Sequence, residues 1–118
     1  MKEKKTFCFD IDNTICNTSN NFYKKSKEKV NKIKIINKLH DNGYKIIIYT
    51  ARYMGRCKNN YKKASKIGFK STFKQLKNWG LKFDELYFGK PSADFYIDDK
   101  SLHFKKNWHL ELKKKYLD

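Results

Sequence analysis

The chain has 118 residues, 39% of them hydrophobic and 16% aromatic. That length suits one domain with one core, and the apolar content excludes a disordered chain. The formal net charge of +16 excludes an acidic surface and favours contact with polyanions.

Only Arg52 and Arg56 stand among the 28 Lys and Arg residues. Readers of nucleic acid lean on arginine's fork. Two readings therefore stay open: a working basic surface that takes nucleic acid, or a general preference for lysine. The cysteines, Cys8, Cys16 and Cys57, are odd in number and never spaced as CxxC. That argues against a zinc site or a disulfide framework and for a reducing compartment. No apolar run is long enough for a bilayer, and the N-terminus lacks a signal-peptide core. A cytoplasmic protein without a membrane partner is expected.

Lys5 to Ile11 reads as a short strand running into carboxylates. A polar stretch, Asn13 to Lys29, follows. Val30, Ile33, Ile36 and Leu39 recur at helical spacing, and Asn42-Gly43 is a stop signal. Lys45 to Tyr49 is a compact β-branched run and predicts a buried strand ending in Thr50-Ala51-Arg52. The basic region Tyr53 to Phe69 carries no clear pattern. Thr72 to Trp79 predicts a helix, with Thr72 as N-cap and Gly80 as stop. Glu85 to Phe88 predicts a third strand, before Gly89-Lys90-Pro91. Phe95-Tyr96-Ile97 predicts a fourth, before Asp98-Asp99. The apolar residues from Phe104 to Leu117 predict a covering helix. Cys8, Trp79 and Trp108 are expected in the core. His40, His103 and His109 are expected to be structural or exposed. No repeat, linker or composition break divides the chain, so residues 1–118 read as one domain.

Strands alternating with helices predict an α/β fold with a central parallel sheet. Ligands of such sheets bind at the carboxyl ends of the strands. Asp10 and Asp12 follow the first strand, Thr50 the second, Lys90 the third, and Asp98 and Asp99 the fourth. Clustered carboxylates suit a hard cation, and Mg²⁺ takes oxygen ligands together with phosphate. Neither His nor Cys belongs to the set, so zinc fits poorly. Lys90 and Thr50 could meet the charge of a phosphoryl group. A carboxylate can attack phosphorus, and a second one two residues on could carry the proton.

The segment Phe9-Asp10-Ile11-Asp12-Asn13-Thr14 resembles the first motif of haloacid-dehalogenase-like phosphatases. Thr50 in Tyr-Thr-Ala-Arg resembles the second motif, Lys90 in Phe-Gly-Lys-Pro the third, and Asp98-Asp99 the fourth. The resemblance implies a Rossmann-like three-layer αβα sandwich without a substantial cap. It implies a Mg²⁺-dependent phosphatase working through an aspartyl-phosphate. Asp10 would be the nucleophile and a metal ligand. Asp12 would be the acid and base, with its main chain on the metal. Thr50, Ala51 and Lys90 would hold the phosphoryl group, and Asp98 and Asp99 would complete the metal site. Arg52 is open to a substrate contact or a surface role.

Gln75 to Gly80 and Gly89 to Asp94 also resemble small capless phosphatases of capsule or surface-sugar biosynthesis. A phosphorylated small molecule such as a sugar phosphate is the expected substrate. A homo-oligomer could close the open site. A nucleotide or nucleic-acid-end phosphatase, and a catalytically inactive basic nucleic-acid-binding module, are the alternatives.

Overall fold

The computed structural model describes residues 4–118. The first expected strand forms as β1 (Thr6–Phe9). The polar stretch after it folds into a small antiparallel hairpin, β2 (Cys16–Asn17) and β3 (Lys27–Glu28), around a 3₁₀ turn at Tyr23–Lys25. Helix α1 (Val30–Asp41) buries Ile33, Ile36 and Leu39, and Gly43 ends it in the left-handed region at φ +90°. Strand β4 (Lys45–Thr50), helix α2 (Tyr61–Asn78), strand β5 (Glu85–Phe88) and helix α3 (Trp108–Tyr116) follow.

The three long strands form a parallel sheet in the order β1-β4-β5, with Phe9 level with Ile48 and Ile48 level with Leu86. The architecture is the Rossmann-like αβα type. Helix α1 packs on β4 and on α3, and α2 packs on β5. Phe9, Ile46 and Ile48 meet Ile33, Ile36, Leu39, Leu76, Trp108 and Leu112 in the main core. Complete burial of one such aliphatic side chain contributes about 1.5–3 kcal/mol, so this cluster fixes the sheet under the strand ends.

Four expectations change. The Lys45–Tyr49 run is fully buried on one face only: Ile46 and Ile48 are buried, whereas Ile47 and Tyr49 are half-buried. Cys8 points to that more open side and is exposed rather than in the core. Helix α2 begins at Tyr61, not Thr72. Its cap is Asn60, whose side-chain oxygen accepts from the Lys63 N–H, and Thr72 lies buried inside the helix. The inner stripe is Ala64, Gly68, Thr72 and Leu76, mostly small residues, so no bulky periodicity announces it.

The fourth strand does not form. Phe95 and Ile97 are 86% and 99% exposed on an irregular segment, 91–105. Three residues offer few ladder bonds. Two local contacts bind Tyr96 instead: its hydroxyl donates to the Pro91 carbonyl, and its ring lies under the Lys90 ammonium, 4.4 Å from the centroid.

Candidate active site

The chain leaves β1 at Phe9 and turns at once. Ile11 is fully buried, and its carbonyl accepts from the Thr14 and Ile15 N–H groups. That turn fixes Asp10 and Asp12 on either side of a core anchor. Asp10 Oδ1 accepts from the Ile11 N–H at 2.8 Å, and Asp10 Oδ2 lies 3.5 Å from Lys90 Nζ. Burial pushes the Asp10 carboxyl above the ordinary carboxylate range, and the Lys90 charge pulls it back. Lys90 is held at the end of β5 by its own N–H, which donates to the Thr50 carbonyl.

Asp12 stands in a different environment. The Arg52 guanidinium grips it with Nε, 3.2 Å from Oδ1 and 3.0 Å from Oδ2, and with Nη2, 2.9 Å from Oδ1. The Thr18 hydroxyl donates to Oδ1 at 2.6 Å. Arg52 is only 2% exposed. Its remaining donor, Nη1, reaches Gln75 Oε1 at 2.7 Å and Thr72 Oγ1 at 3.4 Å, and the Tyr23 ring lies 5.0 Å away. Gln75 in turn donates to the Tyr23 carbonyl. A buried charge needs such full pairing. Thr50 is fully buried, and its hydroxyl accepts from the Arg52 N–H at 3.0 Å. It shapes the turn that aims Arg52.

Asp10, Asp12, Ala51 and Arg52 line one cleft of about 400 Å³, together with Asn13, Asn20, Tyr53, Arg56 and Tyr96. Lys90 joins them through Asp10, and Thr50 sits behind Ala51. Asp98 and Asp99 are not brought to this group. They are exposed on the irregular segment, where Asp98 accepts from the Lys100 N–H. Among the described residues, no three His, Cys, Asp or Glu side chains gather as a metal site. Asn13, Asn20, Asn21, Tyr53, Lys58 and Asn59 all adopt left-handed backbone, and four of them line the cleft. Sequence reasoning did not single out Thr18, Tyr23 or Gln75. Tyr23 and Gln75 meet Arg52 across long stretches of chain, and Thr18 reaches Asp12 through the turn between them.

The donors at the strand ends are oxygens on Asp10 and Asp12, with cationic Lys90 and Arg52 beside them. That set suits a phosphoryl group and a hard cation. Among the described residues no helix is long and apolar enough to cross a membrane. No curated protein sequence matches the chain. A crystal structure of an MCSG target from Vibrio cholerae is similar over 94% of this chain and 98% of its own, at 26% identity and a TM-score of 0.75. The family model of haloacid dehalogenase-like hydrolases matches residues 7–80. The stretch contains Asp10, Asp12, Thr50 and Arg52, and with it the chain belongs to the haloacid dehalogenase-like hydrolases.

Proposed function

We propose that the chain is a Mg²⁺-dependent phosphatase that hydrolyses a phosphate monoester through an aspartyl-phosphate on Asp10. The observation that carries this reading is the unequal treatment of two carboxylates in one cleft. Asp10 faces a single lysine, whereas Asp12 is clamped by a buried arginine. Carboxylates in contrasting environments divide the roles of nucleophile and proton carrier.

Asp12 Oδ1 already accepts from Arg52 and Thr18, and among the described residues Oδ2 accepts from Nε alone. Oδ2 is therefore the atom with room for a proton. In the first step an Asp10 carboxylate oxygen attacks phosphorus. The bond from phosphorus to the ester oxygen breaks, and that oxygen leaves with the proton from Asp12 Oδ2. In the second, water attacks the aspartyl-phosphate and gives a proton to Asp12 Oδ2. The bond from phosphorus to Asp10 then breaks and releases phosphate. Lys90 balances charge beside Asp10 throughout.

The oxygen donors fit Mg²⁺, which keeps several waters and takes one or two carboxylates. The Asp10 carboxylate and the Asp12 main-chain carbonyl are the residues to hold it. When bound, the ion neutralises the phosphoryl oxygens. Asp98 and Asp99 join only if the 91–105 segment is repositioned.

Asn13, Asn20, Tyr53 and Tyr96 give the cleft amide and phenol groups suited to sugar hydroxyls, which supports a sugar phosphate as substrate. Arg56 favours a second reading, a nucleotide or phosphorylated nucleic-acid end. Its guanidinium lies 4.9 Å from the Tyr53 ring centroid and has no carboxylate partner among the described residues.

A phosphate-release screen with Mg²⁺ over sugar phosphates, nucleotides and end-phosphorylated oligonucleotides separates the two readings. Asp10→Asn is expected to lower turnover on the best substrate by a factor on the order of 10³ or more. Near-normal activity in that variant would sink the nucleophile assignment. No turnover on any substrate, with tight salt-sensitive oligonucleotide binding, would favour a binding module instead.

A further inference from the structure

A second cavity, of about 360 Å³, opens where the N-termini of α1 and α3 meet. It is lined by Lys29, Val30, Asn31, Lys32, Lys106, Asn107 and His109 and shares no residue with the cleft. No carboxylate is among these residues. Lys32 belongs to the inner stripe of α1, at a position where the helical spacing calls for an apolar side chain. It is 7% exposed, and its ammonium makes no hydrogen bond or ion pair among the described residues. His109 Nδ1 is buried without a partner.

Neither helix carries a side-chain cap, and the first turn of α1 has no acid. The Lys32, Trp108 and Leu110 N–H groups are taken up by tight local turns, and each terminus still carries the partial positive charge of its helix. The one acid in the first turn of α3, Glu111, pairs with Lys105 and does not line the cavity. Burial, then Lys29 and Lys106, push the Lys32 ammonium below the ordinary lysine range. Burial, then Lys32 and Lys29, do the same to His109.

The Lys32 stem is buried while its unpaired ammonium opens into the cavity, and an ammonium held among like charges favours a counter-charge. Two helix termini and three lysines present positive charge to this one cavity. We propose that this cavity is a binding site for a phosphate dianion, free or as the terminal group of a phosphorylated small molecule. A compact dianion matches two converging helix ends better than a phosphodiester chain, which carries one negative charge per link. The volume admits a phosphate with a small organic group attached. The site is separate from the cleft and does not depend on how the cleft acts.

Inorganic phosphate titrated into the full chain, followed by the ring resonances of His109, tests the proposal. His40 and His103 serve as references. A saturable shift confined to His109, with a Kd on the order of 1 mM or tighter, is expected. Lys32→Met should weaken that binding by at least tenfold while leaving the thermal midpoint unchanged or higher, because it removes a charge that Lys29 and Lys106 repel and keeps the apolar stem. Should Lys32→Met fail to fold, Lys106→Gln, at an exposed position, should weaken binding several-fold. A linear, unsaturable shift would overturn the site. So would variants that titrate like the wild type. An oligonucleotide without terminal phosphate that moves His109 at lower concentration than phosphate would overturn the dianion assignment.

Discussion

Arg52 spends Nε, Nη1 and Nη2 inside the protein. A lysine at that position would place one charge but could not form the fork. In a chain built almost wholly with lysine, geometry of this kind explains a retained arginine. The consequence is measurable in leaving-group dependence. If Arg52 holds Asp12 in the posture that delivers a proton, Arg52→Gln should lower kcat/KM on phenyl phosphate by about 10²-fold or more, the scale of a lost general acid. On p-nitrophenyl phosphate, whose leaving group departs without a proton, the loss should stay below about tenfold on the same reasoning. An equal loss on both esters would mean that Arg52 only supports the fold. The sequence marked Arg52 as rare but could not show its target. Asp12 lies 40 positions away, and only the closed sheet brings them together. Asp10, Asp12 and Lys90 were legible because they follow directly on the ends of two strands, β1 and β5.

At the level of elements, the first three strands formed where they were expected. Glu85–Phe88 forms with the expected bounds. Helix α2 was half-read, because small residues make its inner face. Gly68 shows why they are there. A Cβ at this position would overlap the Tyr53 ring and press on Phe88. Glycine in a helix interior costs about 1 kcal/mol of propensity against alanine, whereas overpacking a tight contact costs about 1–3 kcal/mol. Packing wins that comparison. Gly68→Ala should therefore lower the thermal midpoint by about 5 °C, checked by calorimetry or circular dichroism. A higher midpoint would show that Tyr53 yields freely. The fourth strand was misread for the opposite reason: Phe95–Ile97 has strand-forming side chains, but Tyr96 is held by Pro91 and Lys90 close by.

For the molecule as a whole, charge dominates. The formal charge of +16 spreads over a body of 42 × 32 × 27 Å. At about 0.01 M salt the screening length is about 30 Å, so almost every lysine feels most of the others. Six ion pairs join described residues, and most of them are at the surface, where each contributes about 0–1 kcal/mol. Repulsion should outweigh them. Raising NaCl from about 0.01 M to about 0.5 M should raise the thermal midpoint by several degrees, since the screening length falls several-fold. A flat or falling midpoint in a fluorescence melt would show that the charges are already compensated. Composition made the size of this effect legible. It could not show that part of the charge converges on the cavity between α1 and α3.

The left-handed residues around the cleft bear on loop engineering. Tyr53 at φ +66° and Lys58 at φ +52° sit where side chains other than glycine and asparagine are strained. The posture of Tyr53 is held from outside. Tyr23 packs edge-on against the Tyr53 ring, and Gly68 leaves the space behind it. Grafted onto another scaffold without that glycine and that tyrosine, the segment from Ala51 to Asn60 would relax and lose its shape. The portable unit is the loop together with the first half of α2 and the 3₁₀ turn. Specificity swaps between relatives should exchange all three at once.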